Sequence, residues 1–89
     1  KIEIEVRNFE ELQQVLQTGK IHRIMLDNFS PEDLKKAVEI INHRYETEAS
    51  GGINKTTLRT YAESGVDFIS VGALTHHISA LDISLLADI

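Results

Sequence analysis

Cysteine is absent from this chain, which excludes a disulfide framework and thiolate chemistry within its 89 residues. The sequence also lacks an apolar run long enough for a transmembrane helix and a signal-peptide pattern, so we expect no membrane association. No basic tract interrupts the formal net charge of -5, which argues against a nucleic-acid partner. The lack of cysteine fits a reducing compartment, and we expect the protein in the cytoplasm.

An initiator methionine is also missing, because the first residue is Lys1 and the chain enters a strand pattern at once. Both features predict a fragment of a longer protein or a processed chain. Hydrophobic residues make up 42% of the sequence, which is typical of a folded segment. A segment this short buries only a modest share of its surface, so its stability alone is expected to be marginal.

Strand and helix patterns alternate four times along the sequence. The predicted strands are Ile2 to Val6, Arg23 to Asp27, Tyr45 to Ser50 and Phe68 to Val71. The predicted helix starts are Asn8 with Glu11, Ser30 with Pro31, and Asn54. Gly19 and Gly65 are the expected helix ends, and residues 74–89 are expected to be helical in part.

Strands that alternate with helices are typical of a parallel sheet, either open and doubly wound or part of an α/β barrel. In the first strand Ile2, Ile4 and Val6 share one face, and Glu3 and Glu5 share the other. In a barrel the apolar face lies under the helices and the acidic face lines the interior. An edge strand with both glutamates in water is the alternative, and this strand alone does not decide between them.

Two glycine turns follow strand ends. Ser50-Gly51-Gly52-Ile53 follows the third predicted strand, and Val71-Gly72-Ala73 ends the fourth. Glycine allows a backbone to approach a phosphate, and a single such turn is often only a tight turn. Two of them in succession match the phosphate site that many α/β barrels build after consecutive strands. The pair therefore favours phosphate binding.

Acidic residues also gather at the predicted strand ends. Asp27 ends the second strand and Glu5 lies near the end of the first, so their carboxylates can converge at one edge of the sheet. Such a pair suits ribose hydroxyls, a Mg²⁺ ion or a developing positive charge. Glu48 shares a strand face with Ser50 and can join them. The ordinary alternative for Asp27 is a turn made with Asn28.

The histidines give a weaker signal. His22 and His43 precede strands and are expected at the surface, on the side opposite the glycine turns. His76 follows the second glycine turn, where it can reach a phosphate or be an exposed or packed imidazole. No histidine spacing is typical of a zinc site.

The motifs form an ordered set that resembles the quinolinate phosphoribosyltransferase family. They are Ile2-Glu3-Ile4-Glu5-Val6, Met25-Leu26-Asp27-Asn28-Phe29, Glu48-Ala49-Ser50-Gly51-Gly52-Ile53, Gly65-Val66-Asp67, Ser70-Val71-Gly72-Ala73-Leu74-Thr75-His76 and Ala80-Leu81-Asp82-Ile83-Ser84. The resemblance covers essentially the whole chain. It implies that residues 1–89 are the C-terminal portion of an open α/β barrel, about four strand–helix units, with the N-terminal domain and early barrel absent.

The resemblance also implies an activity and site roles. The family joins quinolinate to phosphoribosyl pyrophosphate, giving nicotinate mononucleotide, pyrophosphate and CO2, with Mg²⁺ as cofactor and homo-oligomers that share active sites. Glu5 and Asp27 would contact ribose hydroxyls and the metal, and would favour oxocarbenium-like character. The substrate-binding set implied beside them is Glu48, Ser50, Gly51, Gly52, Val71, Gly72, Ala73 and His76.

The chain departs from the family pattern at two positions and leaves the acceptor open. His77 stands where a small serine is usual, and Ser79 stands where a basic residue is usual. The sequence predicts no Arg/Lys cluster at the site, although both substrates are anionic. A related barrel enzyme with another acceptor, or an inactive binding module, therefore remains open as an alternative.

We predict that a polypeptide of these 89 residues alone forms no nicotinate mononucleotide from quinolinate and phosphoribosyl pyrophosphate. Four strands cannot close a barrel, and the basic residues that hold the acceptor are missing. Chromatographic assay of the purified polypeptide checks this, and measurable turnover would overturn it.

Overall fold

The computed structural model describes residues 2–54, 56–71 and 76–79 of the chain. The described strands are β1 Glu3–Val6, β2 Arg23–Asp27, β3 Glu46–Ser50, β4 Phe68–Val71 and β5 His76–Ser79. The described helices are α1 Phe9–Thr18, α2 Pro31–Ile41 and α3 Leu58–Ala62. Among the described residues no helix has the length and apolarity that crossing a membrane requires.

All five strands belong to one sheet, in the order β1-β2-β3-β4-β5. The first four are mutually parallel, which confirms the predicted strand–helix alternation. β5 is antiparallel to β4, so residues 76–79 form a strand where partial helix was expected. The pairing satisfies backbone groups along β4 that an edge strand would leave open. The remainder of 74–89 lies outside the described residues.

Helix α1 begins at the predicted cap. The Asn8 side chain accepts a hydrogen bond from the Glu11 N–H at 2.8 Å, and Gly19 ends the helix at a φ of +70°. The Glu11 carboxylate reaches back to accept from the Arg7 N–H at 2.7 Å. In a capping box Glu11 would accept from the N–H of the cap residue, Asn8. Here it accepts from the residue before the cap, and the bond fixes the backbone between β1 and α1.

Helix α2 also begins as predicted, but α3 does not. The Ser30 hydroxyl accepts from the Asp33 N–H at 3.2 Å, just before Pro31. The Asn54 side chain accepts from the N–H groups of Thr56 and Thr57, so it closes the turn before α3. The position that caps α3 is therefore Thr57, and the prediction that Asn54 caps this helix is wrong by three residues.

The hydrophobic core lies between one face of the sheet and the helices. The apolar strand residues that are buried on this face are Val6, Ile24, Leu26, Ala49 and Ile69. They meet the buried helix residues Leu12, Leu34, Ala37 and Ile41. Because strand residues alternate between faces, this burial directs every intervening side chain of β1 to β3 to the opposite face.

The opposite face of the sheet is polar. Glu3 and Glu5 are exposed there on β1, which lies at the edge of the sheet. A doubly wound sheet would need helices and apolar residues on both faces. Helices pack on one face only within the described residues, which is the arrangement of a barrel segment and favours it over the doubly wound alternative.

A buried charge network lies on this polar face. Arg23 pairs with Glu48 at 3.2 Å and with Glu46 at 3.4 Å. Its guanidinium also stacks over the Phe68 ring, 4.1 Å from the centroid. Glu48 is fully buried, and a buried carboxylate requires such a partner. The network therefore joins the amino ends of β2 and β4 to the first half of β3.

A second connection joins β3 to the residue that precedes β4. Asp67 accepts hydrogen bonds from the Thr47 N–H at 2.9 Å and from its hydroxyl at 3.2 Å. The Asp67 N–H in turn donates to the Thr47 carbonyl and hydroxyl, both at 3.1 Å. These reciprocal bonds fix the register at the amino end of the two strands.

We predict that Asp67→Ala lowers the free energy of unfolding by about 1–3 kcal/mol, because the N–H of buried Thr47 loses its acceptor. Chemical denaturation measures the change. Glu63→Ala, which removes an exposed carboxylate paired with Arg59, is the control and should change stability by about 0.5 kcal/mol or less. Equal effects of the two substitutions would contradict the assigned role of Asp67.

Candidate functional site

The carboxyl ends of β1, β2 and β3 bring the predicted acidic residues together. Glu5 is in register with Met25, and Asp27 is in register with Ser50. Since alternate residues of a strand share a face, Met25 and Asp27 lie on one side and Glu5 lies there with them. The prediction that Glu5 and Asp27 face the same side is therefore confirmed.

Arg7 connects these two carboxylates. Its Nη2 lies 3.4 Å from Oε1 of Glu5, and its Nε lies 3.9 Å from Oδ2 of Asp27. The sequence pattern did not predict a role for this residue, because Arg7 lies outside the predicted strand, which ends at Val6. The signal was present: Arg7 continues the alternation of Glu3 and Glu5 one step beyond the strand.

The ends of β2 and β3 are joined by two hydrogen bonds. The Ser50 hydroxyl donates to Oδ1 of Asp27 at 3.0 Å, and the Asn28 N–H donates to the Ser50 carbonyl at 2.9 Å. Asn28 adopts a left-handed conformation, with a φ of +60°. The backbone thus turns at Asn28, and the Ser50 hydroxyl orients the Asp27 carboxylate toward β3. The functional role of Asp27 stays a prediction.

The two glycines after β3 meet different surroundings. Gly51 has a φ of +91°, and a Cβ placed there would lie 2.9 Å from the Asn28 nitrogen and 3.0 Å from Oδ1 of Asp27. Gly52 has a φ of +65°, and a Cβ there would meet nothing within 4 Å. Gly51 therefore lets β3 approach β2 closely. Gly52 presents exposed backbone that a ligand can reach.

Glu48 lies deeper on the same face. It pairs in register with Met25, two residues before Ser50, and its buried carboxylate is held by Arg23 at 3.2 Å. The structure thus places Glu48 beneath Asp27 and Ser50 and within the charge network. Its contact with substrate stays a prediction.

The second glycine turn is described only at its two ends. Val71 is the last residue of β4, and it pairs with His76, the first residue of β5. Gly72 and Ala73 lie outside the described residues. The phosphate contacts predicted for Val71, Gly72, Ala73 and His76 stay predictions.

The two carboxylates suit a cation between them. The Arg7 guanidinium contacts Glu5 and Asp27 at once within 4 Å, so a single positive charge can lie close to both. In the part of the chain that the structure describes, no group of three or more His, Cys, Asp or Glu side chains is placed to hold a metal. Mg²⁺ usually takes one or two carboxylates and completes its shell with water and phosphate oxygens, so the donor set fits that ion.

The amino ends of the strands carry a different set of residues. His22 and His43 are exposed there, as predicted, and the Nδ1 of His22 accepts from the Ile2 N–H at 3.0 Å. A small cavity of about 190 Å³ lies at this end, lined by Ile2, Glu3, His22, Arg23 and Glu46. In barrel enzymes this end supports stability, so the carboxyl ends remain the candidate site.

The fold and site together describe a segment of an α/β barrel with two carboxylates beside a glycine turn at its carboxyl-terminal mouth. Residues 1–86 match the family profile of the quinolinate phosphoribosyl transferase C-terminal domain. The chain belongs to this family.

Curated relatives agree with the match. The chain is 46% identical over 101 residues to the chloroplastic nicotinate-nucleotide pyrophosphorylase (carboxylating) of Arabidopsis thaliana, covering 98% of this chain and 29% of the relative. It is 44% identical over 92 residues to the probable nicotinate-nucleotide pyrophosphorylase (carboxylating) of Methanocaldococcus jannaschii, covering 96% of this chain and 32% of the relative. The chain thus spans about a third or less of the length of these relatives.

Solved structures show the same relationship. The nicotinate-nucleotide pyrophosphorylase of Francisella tularensis matches with a TM-score of 0.74 and 45% identity, over 86% of this chain and 28% of that protein. The enzyme of the same name from Ehrlichia chaffeensis matches with a TM-score of 0.76 and 37% identity, over 88% of this chain and 28% of that protein. The backbone described above is therefore that of the barrel segment in this family.

We predict that Gly51→Ala lowers the free energy of unfolding by about 1–3 kcal/mol, because its Cβ collides with the Asn28 backbone. Gly52→Ala is the control, since it also places a side chain at positive φ but meets no neighbouring atom within 4 Å. Denaturant titration of both variants provides the measurement. A Gly52→Ala variant at least as destabilised as Gly51→Ala would contradict the packing role of Gly51.

Proposed function

We propose that the polypeptide carrying this chain transfers the phosphoribosyl group of phosphoribosyl pyrophosphate to quinolinate, forming nicotinate mononucleotide, pyrophosphate and CO2. The observation that carries the proposal is the convergence of Glu5 and Asp27 on one sheet face, beside the Ser50-Gly51-Gly52 turn. The relatives are named nicotinate-nucleotide pyrophosphorylases, which supports this reaction over transfer to another acceptor.

The sugar phosphate binds across the strand ends. Gly52 is exposed and has open space around its α-carbon, so its backbone can approach a phosphate without a steric barrier. The Ser50 hydroxyl lies between that turn and Asp27, 3.0 Å from the carboxylate. A ligand that bridges from the turn to the carboxylates has the polarity of a phosphorylated sugar, with an anionic end and a hydroxyl-bearing ring.

The carboxylates act on the ring. The quinolinate nitrogen forms a bond to C1 of the ribose while the bond from C1 to the pyrophosphate oxygen breaks. Positive charge develops on the ring as pyrophosphate leaves, and carboxylates fixed beside it stabilise that charge. The carboxyl group on the ring carbon next to the nitrogen then leaves as CO2, its bonding electrons stay on that carbon, and a proton from water takes its place. Glu5 and Asp27 also accept hydrogen bonds from the ribose hydroxyls, which orients C1 toward the acceptor.

Mg²⁺ is the proposed cofactor, held by Glu5 and Asp27 together with substrate oxygens. When bound it supplies positive charge that neutralises the phosphate oxygens and favours departure of pyrophosphate. The two side chains contribute the anionic face of that site, and Ser50 fixes the orientation of Asp27 from the neighbouring strand.

The acceptor site draws on residues beyond this segment. Quinolinate is a dicarboxylate, and recognition of two carboxylates calls for several Arg or Lys side chains. The described part of this mouth supplies one, Arg7, and it is paired with carboxylates. The remaining basic residues come from the other barrel strands, the N-terminal domain and a second subunit. Homo-oligomerisation with shared sites therefore belongs to the proposal, as does a cytoplasmic location.

The test of the proposal is direct assay of the polypeptide that the gene encodes. It is incubated with quinolinate, phosphoribosyl pyrophosphate and Mg²⁺, and nicotinate mononucleotide and pyrophosphate are quantified. Equimolar formation of the two products is expected. Pyrophosphate release with nicotinate or nicotinamide, but not with quinolinate, would show that the acceptor is a different pyridine. Absence of product with all three acceptors would overturn the proposal.

We predict that Asp27→Ala and Glu5→Ala each lower turnover about a hundredfold, a typical loss when a group that stabilises transition-state charge is removed. Steady-state assays of the encoded polypeptide measure kcat, and circular dichroism verifies the fold. Glu63→Ala, which changes an exposed residue just after α3, is the control and should retain wild-type turnover. Wild-type rates in both site variants would remove their assigned role.

A further inference from the structure

Arg7 is a cation at the candidate site, and it is paired with the two carboxylates there. Its backbone N–H is held by the Glu11 carboxylate at 2.7 Å, immediately before the Asn8 cap of α1. The residue is therefore fixed at the end of β1, where the alternation of the strand directs its side chain to the same face as Glu5. The guanidinium lies between Glu5 and Asp27, where the proposed cofactor would be bound.

The contacts that hold the Arg7 guanidinium are weak. They are 3.4 Å and 3.9 Å long, and the Arg7 side chain is 70% exposed. Ion pairs with this exposure contribute little to stability, because water and salt screen them. The contrast with Arg23 is direct, since Arg23 is 22% exposed and pairs with a fully buried carboxylate. Arg23 is a structural cation, whereas Arg7 can leave its partners without loss of the fold.

We propose that Arg7 is a displaceable internal counter-ion, which neutralises Glu5 and Asp27 until a divalent cation and the sugar phosphate replace it. The inference rests on the function proposed above and adds a positioning residue to that site. Without a cation between them, the two carboxylates would repel each other at the mouth. Arg7 contacts both carboxylates, so a metal that binds them must compete with the guanidinium.

Competition has a measurable consequence. Removing the guanidinium charge should strengthen divalent-cation binding, because the metal no longer displaces an internal cation. Since the exposed pairs are weak, the gain is expected to be modest, about two- to fivefold. A purely structural role for Arg7 would instead leave metal affinity unchanged, or lower it by disordering Glu5 and Asp27.

The experiment titrates Mn²⁺, as a spectroscopic substitute for Mg²⁺, into the encoded polypeptide in the absence of substrates, with free ion followed by electron paramagnetic resonance. Arg7→Gln should bind Mn²⁺ about two- to fivefold more tightly than wild type. Arg7→Lys, which keeps the charge, should return toward the wild-type affinity. Arg59→Gln removes an exposed arginine of α3 that pairs with Glu63, and this variant should bind Mn²⁺ with wild-type affinity.

Each outcome decides the inference. Tighter binding in Arg7→Gln, with Arg7→Lys near wild type, supports it. Equal or weaker binding in Arg7→Gln overturns it, provided that Asp27→Asn weakens Mn²⁺ binding and so locates the ion at this mouth. Unaltered binding in Asp27→Asn also overturns it, because the ion is then held elsewhere. The proposed function fails separately, through absence of nicotinate mononucleotide in the wild-type assay.

Discussion

The alternation of side chains along β1, β2 and β3 is the constraint on which the rest of the molecule depends. Val6, Leu26 and Ala49 point into the helix layer, so the residues next to them in the chain must point away from it. Hydrophobic burial on one face thus fixes the direction of the carboxylates on the other. A slip of one residue in any strand would bury an acid under the helices and would dismantle core and site together.

The polar face is itself layered. Arg23, Glu48 and Phe68 form a largely buried cluster toward the amino ends of β2 to β4, and Arg7 lies exposed just beyond the carboxyl end of β1. The Arg23–Glu48 pair is shielded from water much as a hydrophobic core is, although both partners are charged. Charges held by buried partners cost much to separate, whereas exposed pairs exchange readily with ligands. Depth along the strands therefore separates the groups that maintain the fold from those available for chemistry.

Much of this arrangement was visible in the sequence. The strand positions, the caps at Asn8 and Ser30, and the common face of Glu5 and Asp27 all follow from local patterns with a period of two or 3.6 residues. Local patterns were insufficient where tertiary contacts decide. β5 forms because β4, a few residues earlier in the chain, offers an edge to pair with, and the residues of 76–79 do not encode that pairing by themselves.

At the candidate site, too, local sequence patterns did not predict every contact. The sequence suggested that Gly51 and Gly52 serve one purpose, yet the packing of Asn28 against Gly51 gives them different surroundings. The connection of Arg7 to both carboxylates was missed for a related reason. The residue lies outside the strand, and only the backbone that Glu11 fixes keeps the alternation going beyond Val6.

The close approach of Gly51 to Asn28 has a consequence for how the mouth responds to a ligand. With 2.9 Å between the Asn28 nitrogen and the Ser50 carbonyl oxygen, and no room for a methyl group between the chains, the two strand ends form a single stiff unit. A shift of the glycine turn would therefore be passed through main-chain atoms to the backbone of Asp27 and Asn28. Under the proposed function, binding of the phosphate at the turn and alignment of the Asp27 carboxylate would occur together.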